Sequence, residues 1–325
     1  MTTYKEIRGT NIEVLASDPS NPVTGQVWYN STDNVVKGFY VNPGSWSTGN
    51  ALNLARTTLG SAGIQTAAIA FGGRTADGGT PDANNTELYN GTNWTEVNNL
   101  QQARRLVEGA GTQTAALAFG GRSFPPDTTY ANTETWNGTN WTEVNNLNNG
   151  RYYLAGCGAS NTAALAFGGN TGPSAATESW NGTNWTNVNA LNTGRPQLAG
   201  TGTNTAALAI GGDPSPAITE LWNGTNWTEV ADLNTGRKNA AAAGITTAAL
   251  AFGGGGTPPI VANTENWNGS SWTELSDLNA AISKAAGAGT NTSALSFGGN
   301  NPPDTISAAT EKWTAGPLTV TFTDS

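Results

Sequence analysis

The charged residues that recur at fixed spacing are the first that could do chemistry. A glutamate stands two positions before an aromatic at Glu87, Glu134, Glu178, Glu220, Glu265 and Glu311, and an arginine recurs at Arg56, Arg104, Arg151, Arg195 and Arg237. A ring of carboxylates would suit catalysis or a metal, but one residue type repeated in every unit is more simply read as a structural ion pair or loop clamp. The last unit is odd: Ile282 holds the arginine's place, with Lys284 close by. A second set of carboxylates, Asp77, Asp82, Asp127, Asp213 and Asp304, lies in loops that differ from unit to unit. Two carboxylates at a set separation suffice for glycoside hydrolysis, yet each of these sits in Gly/Pro-rich text where aspartate is an ordinary turn residue. No D-x-D-x-D-G pattern marks a calcium loop. The chain has no histidine, which removes Ser-His-Asp and Cys-His nucleophiles, histidine general bases and most zinc or copper sites. Cys157, the only cysteine, sits in AGCGAS where other units have AGTGTN or EGAGTQ, and reads as a small core residue. No catalytic residue, cofactor or metal is expected.

The elements that hold these residues come from a unit repeated six times. Its glycine pair ends at Gly73, Gly121, Gly169, Gly212, Gly254 and Gly299, with spacings of 48, 48, 43, 42 and 45 residues. A period of this size belongs to repeat architectures. Each unit reads as four short strands. In the unit around Ala206 to Arg237, a small-residue strand (Leu198 to Gly202) turns into the apolar run Ala206 to Ile210, which suits a strand buried on both faces. Ile218 to Trp222 is the third strand. Asn223-Gly224 then opens a hairpin, since both residues tolerate positive φ, and Trp227 begins the fourth strand. The NGTNWT string also holds two glycosylation sequons per unit, read here as hairpin chemistry.

The Gly-Gly pair closing a second strand, the aromatic on the third and the tryptophan on the fourth (Gly168-Gly169, Trp180 and Trp185) resemble the blades of kelch-type β-propellers, over about Trp46 to Trp313. The resemblance implies an all-β fold and little about activity, because propellers host many functions. Kelch-type propellers include the catalytic domain of galactose oxidase, whose copper site uses histidines and a Tyr-Cys crosslink. Without histidine that ligand set cannot be assembled.

The fourth-strand tryptophans are Trp46, Trp94, Trp141, Trp185, Trp227 and Trp272. Trp46 has no Gly-Gly pair before it, and the last unit, ending at Trp313, has no NGTNW after it. Six four-stranded blades closed by pairing of N- and C-terminal strands are therefore expected. Seven blades are the alternative, with LTVTF (Leu318 to Phe322) completing the last unit and GQVWYN, VVKGFYV and the Trp46 strand forming another. Inner strands reading EGAG, AGCG or AAAG converge on an axis that leaves little room for side chains.

Residues 1–41 are read as an N-terminal attachment segment with a short β-hairpin, 42–316 as the propeller and 317–325 as a C-terminal strand or tail. The wording GQVWYNSTDNVVKGFY is similar to segments near the start of bacteriophage tail-fibre and other virion proteins. That resemblance implies a virion location, assembly in the host cytoplasm, and other virion proteins as partners of the N-terminal segment. The net charge of -9, with only 11% of residues charged, argues against nucleic-acid binding, which needs a basic patch. The N-terminus has no cationic head followed by an apolar core, and no run of about 20 apolar residues occurs, so neither a cleaved signal nor membrane insertion is expected.

Divergent loops on a uniform scaffold are a common way to build recognition sites. The two longest second-to-third loops hold Arg74, Asp77, Asp82, Arg122, Phe124, Asp127 and Tyr130, an aromatic and polar set that suits a host-surface sugar or protein. The expected function is a non-enzymatic virion structural protein, such as a tail fibre, baseplate or capsid decoration, presenting these loops. A soluble bacterial carbohydrate-binding or protein-interaction propeller, and a carboxylate-dependent glycan hydrolase, are the other readings.

Overall fold

The computed structural model describes residues 12–75, 82–170, 174–214, 217–255 and 259–322, and its contacts divide the chain into two units, 1–44 with 315–325, and 45–314. In the larger unit, each apolar second strand is buried along four of its five residues, as Ala206–Ile210 is. It lies between a small-residue inner strand, Ala199–Thr203, and a third strand, Thr219–Trp222, which pairs with the outer strand Trp227–Glu229. The same antiparallel order recurs in the sheets that begin at Gly60–Ile64, Glu108–Thr112, Ala155–Ser160 and Ala241–Ile245. Each inner strand lies against the next, and Ala286–Gly289 lies against Gly60–Ile64, so the ring closes. This is a β-propeller.

Five sheets are separate four-stranded blades, where six were expected. The sheet of Ala286–Gly289 and Ser293–Phe297 instead has six strands: Thr310–Phe322 runs for 13 residues and Val35–Gly49 for 15, and the short strands Val27–Asn30 and Glu13–Leu15 complete it. LTVTF thus continues the third strand instead of supplying a fourth. VVKGFYV and Trp46 share one strand, so no seventh blade forms from them.

Between blades, each outer-strand tryptophan reaches back to the sheet before it. Trp141 Nε1 donates to Thr86 Oγ1, Trp185 to Thr133, Trp227 to Thr177, Trp272 to Thr219, Trp46 to Thr264 and Trp94 to Thr310, at 2.9 to 3.2 Å. Five of these rings pack on the phenylalanine ending the preceding second strand, as in Trp185 on Phe119 at 5.0 Å between centroids; before Trp272 that strand ends in Ile210. The bonds pass from sheet to sheet around the whole ring.

A second inter-blade link uses the recurring charges. Arg56 Nη2 donates to Glu87 Oε1 at 2.8 Å, while its Nη1 donates to the carbonyls of Gly72 and Asn85. Glu87 Oε2 also accepts the backbone and side-chain N–H groups of Asn53. Arg104 with Glu134, Arg151 with Glu178, Arg195 with Glu220 and Arg237 with Glu265 repeat the pair, all essentially without solvent exposure. Burial pulls the guanidinium of Arg56 below its usual basicity and the Glu87 carboxylate opposes that shift. At the last unit, Glu311 keeps only the Asn279 donors among the described residues, beside the buried Ile282. Lys284 is not its substitute partner.

The hairpins differ in detail from the expectation. Four residues, Asn137 to Asn140, separate the paired Trp136 and Trp141, and only Gly138 has positive φ. Asn137 instead accepts the N–H groups of Thr139 and Asn140 on its Oδ1, an Asx turn. Residues Asn98, Asn145 and Asn189, which follow the outer strands, donate to the next blade's hairpin, as Asn145 does to Thr183 O and Asn184 Oδ1.

In the smaller unit, Glu13–Leu15 pairs in parallel with Val27–Asn30, and this strand pairs antiparallel with the start of Val35–Gly49. Asp18 accepts from Asn30, Lys37 and the buried Trp28, and those donors hold its carboxyl below the usual carboxylate value.

Two substitutions measure the tryptophan link. Trp185→Ala is expected to cost about 3 to 5 kcal/mol in denaturant unfolding, whereas Thr133→Val, which keeps the shape and strands the indole N–H, should cost about 1 to 3 kcal/mol. Equal and negligible effects would contradict this role.

Candidate ligand-binding face

The face that carries the variable loops also carries the links between blades, and the links set its geometry. Two residues beyond each clamp position, the backbone turns left-handed at Thr58, Leu106, Tyr153, Gln197, Asn239 and Lys284, with φ of 55° to 62°. Non-glycine residues rarely hold this conformation. Here the neighbours impose it: Leu106 N donates to Thr58 O, Gln197 to Tyr153, Asn239 to Gln197, Lys284 to Asn239 and Thr58 to Lys284, at 2.8 to 3.2 Å. The six residues therefore ring the mouth of the central axis with five bonded steps; the sixth step, between Leu106 and Tyr153, has no such bond among the described residues. All six line the mouth.

Outside that ring, the residue just before each turn pairs with the residue just after a glycine pair. Arg105 and Arg122 exchange two backbone hydrogen bonds of 2.9 and 3.0 Å, and Thr57 and Arg74 do the same. The glycine pair permits this approach: a side chain on Gly73, whose φ is +100°, would place its first carbon 2.8 Å from Thr57 O.

Four of the sequence-predicted loop residues come together here. Arg74, Arg122 and Phe124 line a cleft of about 350 Å³ with Thr57, Thr58, Arg105, Leu106, Tyr153 and Lys284. Asp82 stands behind it, 3.5 Å from Arg105 Nε and accepting the N–H of Phe124 at 2.7 Å. Burial pushes the Asp82 carboxyl up, against the pull of that N–H and of Arg105, Arg122 and Arg74. The remaining predictions fall elsewhere. Asp127 forms an exposed pair with Arg122 at 2.5 Å, outside the cleft lining. Tyr130 donates its hydroxyl to Ser123 and accepts from Gln102, so its phenol is committed away from the cleft. Asp77 lies outside the described residues.

Arg105, Leu106, Tyr153 and Lys284 were missed because attention went to the long loops. Their signal is variation within constancy: the two residues after the clamp position read TT, RL, YY, PQ, KN and SK inside units that are otherwise nearly identical. The aromatic contacts of the cleft also involve this pair, with the Arg122 guanidinium 4.5 Å above the Tyr152 ring and that of Arg105 5.4 Å from Phe124.

Below the mouth, the inner strands line a narrow channel of about 140 Å³. Its walls are mostly glycine and alanine, with Ser61, Cys157 and Thr201 and one carboxyl, Glu108, at a position that holds alanine or glycine in the other units. Among the described residues Glu108 accepts only the N–H of its neighbour Gly109, and burial pushes its carboxyl up to about 8. Cys157, a free and buried thiol on the same wall, is made harder to ionise first by burial and then by Glu108. Among the described residues, no three Cys, Asp or Glu side chains come together as a metal site would require.

No family model matches the chain, and no curated protein matches it. Among solved structures 320 chains match. One is the structure of YjhT, which aligns with a TM-score of 0.67 at 12% identity over 81% of this chain and 95% of that one. A likeness at that identity speaks to the β-propeller fold alone.

Glu108 gives the propeller a testable pH dependence. Its folded-state value lies above the ordinary 4.5, so between those limits the folded chain holds a proton that the unfolded chain has released. Stability from this group is complete below about pH 4.5, falls as pH rises toward about 8, and changes no further once the carboxyl is ionised in both states. Melting curves should show Glu108→Gln losing less stability than the native chain between weakly acidic and alkaline pH; a parallel loss would place Glu108 in water.

Proposed function

We propose that this chain is a non-enzymatic recognition propeller of the kelch type that binds a glycan at the cleft between Arg74, Arg105, Arg122 and Phe124. The observation that carries this reading is the cleft itself. Its backbone is fixed by the bonds of Thr58 with Leu106 and Lys284 and by the pairing of Arg105 with Arg122 and of Thr57 with Arg74, its lining mixes apolar faces (Leu106, Phe124, Tyr153) with hydroxyl and guanidinium donors, and its volume of about 350 Å³ suits a mono- or disaccharide. Aromatic faces pack on sugar C–H groups while the polar groups take hydroxyls. The hydrolase reading is weaker, because no carboxylate lines the cleft and the two nearby, Asp82 and Asp127, are engaged by arginines.

The place of the propeller on a virion rests on the wording GQVWYNSTDNVVKGFY, whose two segments form the hairpin Val27–Asn30 with Val35–Gly49. In this reading the N-terminal segment contacts other virion proteins and the loop face meets the host surface. The chain neither inserts in a membrane nor binds nucleic acid.

A glycan array with the purified chain tests the binding role. A discrete set of glycans should bind, with Phe124→Ala lowering affinity about tenfold at unchanged melting temperature; binding untouched by that substitution would move the site elsewhere. For the virion placement, deleting Met1 to Thr24 should leave a folded propeller that no longer enters particles, and normal incorporation would contradict it.

A further inference from the structure

We infer that the cleft recognises an oxyanion on its ligand, so that the glycan it takes is an acidic one bearing a carboxylate, sulfate or phosphate. The inference rests on the glycan-binding reading above and on where the chain spends its cations. Of 14 lysines and arginines, five are the buried clamps. Six others lie in the propeller, residues 45–314: Arg74, Arg105, Arg122, Lys238, Lys284 and Lys312. Four of those six line this single cleft, in a chain whose net charge is -9.

The nearby carboxylates engage two of the four: Asp82 stands 3.5 Å from Arg105 and Asp127 pairs with Arg122, both from outside the lining, and burial weakens the tendency of Asp82 to ionise. Arg74 and Lys284 have no ion pair among the described residues. A guanidinium or ammonium without an ion-pair partner in a cleft matches the oxygens of a carboxylate, sulfate or phosphate. Arg105 and Arg122 are tied by their backbones and steadied over Phe124 and Tyr152, so they are preorganised for such a group. Phe124 and Tyr153 leave an apolar side for the body of the ligand.

Calorimetric titration of the full chain at low ionic strength with sodium glucuronate, glucose and sodium sulfate tests this. Glucuronate should bind at least about tenfold tighter than glucose, weaken as salt is raised, and be displaced by sulfate. The double substitution R74A/K284A should reduce glucuronate affinity at least about tenfold. If Arg74→Ala lowers the melting temperature, Lys284→Gln alone carries the comparison. Equal binding of glucose and glucuronate, or affinity insensitive to both substitutions, overturns the inference. Equal binding that is lost in Phe124→Ala leaves the glycan site standing and removes only its acidity; no binding by any of the three probes overturns both.

Discussion

The larger unit depends on one hydrogen bond repeated around a ring, from the indole N–H of an outer-strand tryptophan to the threonine that opens the third strand of the preceding sheet. Propeller blades share no backbone ladder with one another, so their angular spacing must be set by side chains. A tryptophan fills the wedge between two twisted sheets, and its single polar atom needs a partner once buried. Threonine supplies that partner at a fixed place, and the clamp of arginine and glutamate ties the link that follows. Because the residues are the same from blade to blade, the frame comes out uniform. The mouth inherits its backbone from that frame.

Much of this was legible in the sequence, for reasons specific to each element. The run AALAI is apolar without alternation because it is covered on both faces, and its bounds in the structure, Ala206–Ile210, are those read from the text. The recurring Arg and Glu do pair. Other features depend on three-dimensional context that spacing does not reveal. The threonine of T-E-x-W looked like a strand former, and its role as indole acceptor appears only across a blade boundary. The asparagine of NGTN looked like a residue suited to positive φ, whereas it acts through its side-chain oxygen. The blade count went astray at the chain ends, where Val35–Gly49 and Thr310–Phe322 run on as long strands and make one sheet of six.

At the candidate face the loop residues Arg74, Arg122 and Phe124 were legible in the sequence, and those on the links were not. The loops stand out by length, yet the second residue of the short variable pair after each clamp lines the mouth. This arrangement separates two tasks. Backbone at the mouth is held left-handed by neighbour-to-neighbour hydrogen bonds, which accept threonine, leucine, tyrosine, glutamine, asparagine or lysine alike. Side chains there are free to differ, and in this chain the cations gather over one sector.

The most direct test of that separation replaces the variable pair of one link by that of another, R105T/L106T, which installs the residues found at Thr57 and Thr58. Thermal unfolding and glucuronate titration are then measured on the same sample. The account predicts an unchanged melting temperature together with at least about tenfold weaker binding. A substituted chain that melts early, or one that binds as the native chain does, would contradict it.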